Sequence, residues 1–148
     1  MVELAETVVV RVAQSAYRDH VRETGCMTPP RISNADGRAA VLQVREHVNQ
    51  PAPRDVLALA TRYLLQLFAE ANPGHAVEVR VPPFGAVQAV EGPRHTRGTP
   101  ANVVELSPLE WVLLATGKIT WTALAEEAKV SASGVRSDIS ELLPLAEW

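Results

Sequence analysis

The sequence predicts an α+β domain, and three observations lead there. Residues 50–71 place apolar side chains at helical spacing between proline punctuation and Asn72-Pro73-Gly74. Residues 77–81 and 86–91 alternate apolar and polar side chains around Pro82-Pro83-Phe84-Gly85, as a hairpin would. Ser107-Pro108-Leu109-Glu110 then opens a further helix with a capping serine, a proline at the first position and a glutamate three residues after the cap. A chain of 148 residues, 47% hydrophobic and 21% charged, is long and apolar enough to bury a core and is unlike a disordered or highly charged tail.

In order along the chain, residues 2–23 carry Leu4, Val8, Val12 and Ala16 at a spacing of four, although the β-branched Val8-Val9-Val10 run argues against a helix. Thr24-Gly25 and Pro29-Pro30 end that segment. Residues 1–34 therefore read as an appended helix and linker, and residues 35–148 as the folded domain. Met27 offers a second reading, in which it is the natural start and residues 1–26 are an artefact of start assignment. Ser33-Asn34-Ala35-Asp36 supplies caps for a helix over residues 37–49. In the helix of residues 50–71, Leu57, Ala60, Leu64, Leu67, Phe68 and Ala71 form one apolar face, with Thr61, Arg62, Gln66 and Glu70 turned away.

That face should cover a sheet containing Val77, Val79 and Val81, the returning strand of residues 86–91, and a third strand over residues 102–106. The helix opened by Ser107 puts Trp111, Leu114 and Ala115 inward, and Gly117 closes it with Lys118 beside its C-terminal end. A short helix over residues 121–128 follows, then a strand at Val130-Ser131-Ala132-Ser133. Asp138-Ile139-Ser140-Glu141 should cap a final helix that Pro144 interrupts.

Composition narrows the function. Fourteen basic against seventeen acidic residues leave a net charge of −3, which gives no general attraction to phosphate backbones or anionic lipid. The single cysteine, Cys26, has no internal partner and no adjacent base, so it suits a reducing compartment better than a nucleophile's role. Glu3 and Glu6 replace the basic start of a secretory signal, and no stretch reaches the length of a membrane span, so the chain reads as cytoplasmic. His20, His47, His75 and His95 are scattered without metal-ligand spacing and suit surface or capping positions, so no metal and no cofactor is expected.

Residues 107–134, with a capped aromatic helix ending in Gly117-Lys118, a second helix and a closing strand, resemble the last third of sterol-carrier-protein-like domains. Residues 79–105 resemble the actinobacterial proteins of bacterial sterol-carrier orthologue type, and the likeness extends over residues 35–145. The resemblance implies helices across one face of a mostly antiparallel sheet, with an apolar pocket between them and non-catalytic binding of a lipid-like ligand. It also extends to the C-terminal domain of mycothiol-dependent maleylpyruvate isomerases. The helical bundle that carries the chemistry of those enzymes has no counterpart in these residues. The chain departs from longer sterol carriers where Arg94-His95-Thr96-Arg97 stands in place of a full strand, which leaves the size of any tunnel open.

Candidate site residues follow from that expectation. Arg94, His95 and Arg97, between glycine and proline hinges, could clamp an anionic head group, or could simply hydrogen-bond neighbouring carbonyls. Trp111, Leu114, Trp121, Leu124 and Ile139, with Phe84 and Val87 of the hairpin, could line the pocket, although the same spacing also suits plain core.

A rival reading takes residues 120–143 as a DNA-binding helix-turn-helix. Gly134 would then sit inside the recognition helix, and Lys129 and Arg136 would face five acids, Glu126, Glu127, Asp138, Glu141 and Glu147, where phosphate contact requires the opposite sign. Nucleic acid is therefore disfavoured as a partner. A third reading, an accessory protein docking to an enzyme, fits the same fold.

Overall fold

A computed structural model of the chain describes residues 30–47, 49–93, 98, 100–145 and 148; the expected helix at residues 2–23, Cys26 and Met27 lie outside them. The described elements are α1 (Asn34–Glu46), α2 (Arg54–Ala71), β1 (Val77–Val81), β2 (Gly85–Ala89), β3 (Val103–Leu106), α3 (Pro108–Ala115), α4 (Trp121–Glu126), β4 (Val130–Ser133) and a 3₁₀ turn (Ser140–Leu142). The architecture is α+β, as the sequence predicts.

The four strands are ordered β2-β1-β3-β4. β1 pairs antiparallel with β2, with Val79 opposite Val87, and β3 pairs antiparallel with β4. The middle pair, β1 with β3, is parallel. The hairpin returns β2 to the starting end of β1. The connection over residues 90–102 therefore has only to pass sideways across β1, about 10 Å at a strand spacing of ~4.8 Å, before β3 sets off in the same direction. On the inner face Val77, Val79, Val81, Ala89, Val104 and Leu106 are buried. On the outer face Gln88, Glu105, Ser131 and Ser133 are exposed, so the helices cover one side only.

α2 is the central helix, packing on α1, α3 and β2. Its first expected stripe holds at Ala60, Leu64 and Phe68, but Leu57 and Leu67 are only half-buried and Ala71 is exposed. Thr61, expected to face away, is 0% exposed. A helix enclosed by a sheet and two other helices buries more than one stripe, and Ala58, Thr61 and Leu65 supply the second. Each fully buried Val, Leu or Phe contributes about 1.5–3 kcal/mol relative to exposure.

Capping sets the other helix boundaries. The Ser33 hydroxyl accepts from the Asp36 amide (3.1 Å) and donates to Asp36 Oδ2 (2.7 Å), so α1 starts three residues before the expected position and ends at Glu46 rather than residue 49. The segment before it is tied down as well. Ile32 exchanges two hydrogen bonds with the Gln66 amide, and Arg31 pairs with Glu70. Ser107 caps α3 through the Glu110 amide (3.5 Å). At the other end, Gly117 adopts a positive φ of 74° while the Lys118 amide donates to the Leu113 carbonyl (2.8 Å) and the Gly117 amide to that of Leu114 (3.1 Å). This is the double bond of a Schellman closure, which glycine accepts without steric penalty.

Two expected helices are shorter or missing. α4 ends at Glu126 rather than residue 128, where Ala128 turns to a positive φ of 54°. Among the described residues no α-helix follows β4. Asp138 Oδ1 accepts from the Ser140 amide (3.0 Å) and opens a single 3₁₀ turn, and Leu143, preceding Pro144, is forced into extended backbone. The helix-turn-helix reading fails at the same place. Where a recognition helix would begin, Ser131 and Ala132 pair with Glu105 and Val104 of the sheet.

Candidate ligand-binding groove

The groove is formed where α1 passes into α2. Pro51 and Pro53 prevent α1 from continuing, so the chain turns: His47 caps α1, and the Gln50 amide donates to the His47 carbonyl (2.9 Å). The two helices diverge at this turn, and the start of α3 approaches with Leu109. Between them lies a groove of about 410 Å³ lined by Val44, His47, Asn49, Gln50, Pro51, Ala52, Leu57 and Leu109. That volume falls within the ~300–1,000 Å³ of small-molecule sites. Val44 is fully buried at its floor, whereas Leu109 stays 37% exposed, an open apolar side chain at the mouth.

The polar groups are few and placed at the turn. His47 Nδ1 lies 2.8 Å from the Gln43 carbonyl, which can only accept, so this nitrogen carries the proton. Nε2 is then the ring nitrogen left to accept a bond, and it has no partner among the described residues. Among the described residues no Asp, Glu, Lys or Arg lines the groove. Arg45 follows Val44 along α1 and Arg54 begins α2, but the Arg54 guanidinium sits over the Phe84 ring, 5.7 Å from its centre.

None of the pocket residues expected from sequence lines this groove. Trp111, Leu114, Leu124 and Ile139 are buried in the core, with Trp121 and Val87 packed half-buried against it. Trp111 meets Phe68 edge to face at 5.8 Å, and its Nε1 donates to the Thr61 carbonyl at 3.3 Å. Phe84 is half-buried at the hairpin turn, where its carbonyl accepts from Arg62 Nε (3.2 Å).

Arg94, His95 and Arg97 lie outside the described residues. The chain leading into them is fixed at the far end of α2. There the Val90 amide donates to the Asn72 carbonyl (2.8 Å), and Arg136 Nη2 to that of Glu91 (2.9 Å). Leu57 and Asn72 are fifteen residues apart, about 22 Å at 1.5 Å per residue, so that end and the groove are at opposite ends of the helix.

Sequence reasoning passed over the groove. Its only signal was a proline-rich junction between two amphipathic helices, and His47, correctly placed among capping histidines, gave no hint of a ligand. Among the described residues no three His, Cys, Asp or Glu side chains gather as metal ligands, and no helix is long and apolar enough to cross a membrane.

A family model described as bacterial SCP ortholog fits residues 53–145, more than half of the chain. No curated protein matches.

Proposed function

The chain belongs to the bacterial SCP ortholog family of sterol-carrier-like domains, and from that premise we propose that it binds and carries a small apolar or amphipathic molecule without chemical change. The groove at the α1–α2 turn carries this reading: it is open, mainly apolar and furnished with a few polar groups at one edge, the usual composition of a small-molecule site. The interior space between sheet and helices, where Trp111, Leu114, Leu124 and Ile139 were expected to form a pocket, is occupied by those side chains themselves. A ligand there would have to displace Trp111 from Phe68 and Thr61, whereas the groove admits one without rearranging the core.

Native mass spectrometry of the protein purified from its host tests the reading. A discrete non-covalent adduct, present in the native but not the denatured spectrum and lost in Leu57→Trp, supports a carrier with its ligand in the groove. An apo mass that persists after incubation with neutral and charged lipid extracts overturns it.

A further inference from the structure

Resting on the reading that the groove is the carrier's site, we infer that it selects uncharged short amphiphiles with a hydrogen-bond-donating head, such as a hydroxyl or a primary amide, and rejects ionised lipids. The first reason is what the lining lacks. With no Asp, Glu, Lys or Arg among the described residues of the lining, a carboxylate or phosphate entering it would shed water without gaining an ion partner there. Burying an unpaired charge costs far more than burying a neutral polar group. The two arginines close to the lining residues in sequence do not change this. Arg54 is turned toward Phe84, and Arg45, although its Nε is buried without a partner, is not part of the lining.

The second reason is what the lining provides. The Gln43 carbonyl accepts from His47 Nδ1, so in the neutral ring Nε2 presents a lone pair and selects a donor. Asn49 and Gln50, exposed beside it, can bond the other side of a hydroxyl or amide head. Val44, Ala52, Leu57 and Leu109 receive the alkyl part. At about 410 Å³ the space suits a single short chain rather than a whole diacyl lipid.

The experiment compares three eight-carbon probes, 1-octanol, octanamide and octanoate, under conditions where octanoate is ionised. Each is titrated into the full chain by displacement of the uncharged fluorophore N-phenyl-1-naphthylamine. Octanol and octanamide are expected to bind at least about tenfold more tightly than octanoate. Leu109→Lys places a cation at the exposed mouth and should shift the preference toward octanoate, relative to octanol, by at least about tenfold. Octanoate binding as tightly as octanol to the unaltered protein overturns the selectivity. If the fluorophore binds but no octyl probe displaces it and Leu57→Trp leaves it unchanged, the groove assignment fails while a carrier role elsewhere stands. If the fluorophore does not bind either, the carrier reading fails with it.

Discussion

At the C-terminal end of α2 the chain is tied together by hydrogen bonds between segments far apart in sequence, whereas at its N-terminal end the described hydrogen bonds are local and a groove is left open. Asn102, 6% exposed, is the centre of the tied end. Its Nδ2 donates to the Ala76 carbonyl (2.8 Å), its Oδ1 accepts from the Arg136 amide (2.9 Å), and its carbonyl accepts from the Glu78 amide (3.0 Å). One side chain thus joins the approaches to β1 and β3 to the turn after β4. At the groove, the bonds of His47 to the Gln43 carbonyl and of the Gln50 amide to the His47 carbonyl each span only a few residues. A fixed end holds the sheet in register; an end with apolar surface and little hydrogen bonding is where a guest can be accommodated without breaking the fold.

The largest expected effect tests the tied end. Asn102→Ala removes two hydrogen bonds, one buried and one partly buried, and leaves the Ala76 carbonyl and the Arg136 amide without their partner. Urea denaturation should show a loss of about 2–4 kcal/mol; a loss below about 1 kcal/mol would erase the contrast. Gly134→Ala should follow. Gly134 holds a positive φ of 99°, and a Cβ there would collide with the Ala101 carbonyl and the Asn102 side chain. A destabilisation of about 2 kcal/mol is expected from strain and the displaced asparagine together.

Much of this molecule could be read in its sequence where one local rule sufficed. The cap of α3, its Gly117 closure, the hairpin around Pro82-Pro83 and the four residues of β4 all follow from short-range chemistry, and the structure places each where the sequence put it. What could not be read depends on what packs against what. Thr61 looks polar and outward until a second layer of helix is laid on it. The parallel pairing of β1 and β3 depends on which side of β1 the connection passes. Asn102 read only as the first residue of a strand, because its three partners are 24 to 34 residues away. The groove was hidden for the same reason: Val44, Leu57 and Leu109 come from three helices, and nothing in any one of them announces a shared space.

The open end should respond in the opposite way to the tied one. Leu109→Lys, at a side chain 37% exposed, is expected to change the unfolding free energy by less than about 0.5 kcal/mol while changing which probes bind. A stability loss comparable to that of Asn102→Ala would mean that the groove is part of the core rather than a space left beside it.

The smallest effect concerns the stretch after β4, where Asp138 extends the tied end toward the tail. The hydroxyl and amide of Ser140 donate to the Asp138 carboxylate and hold its pKa below the ordinary aspartate value. A group depressed in this way stabilises the fold above its unfolded pKa and loses that contribution as the pH falls through the folded value. The native protein should therefore exceed Asp138→Asn in stability at neutral pH, with the gap closing under acid conditions. Because the carboxylate is almost wholly exposed, water screens it and the gap should stay below about 1 kcal/mol. Thermal melts across that range decide the matter. A gap that persists in acid would mean that the charge of Asp138 is not its source, since protonated aspartate and asparagine are both uncharged and both offer the Ser140 amide an acceptor.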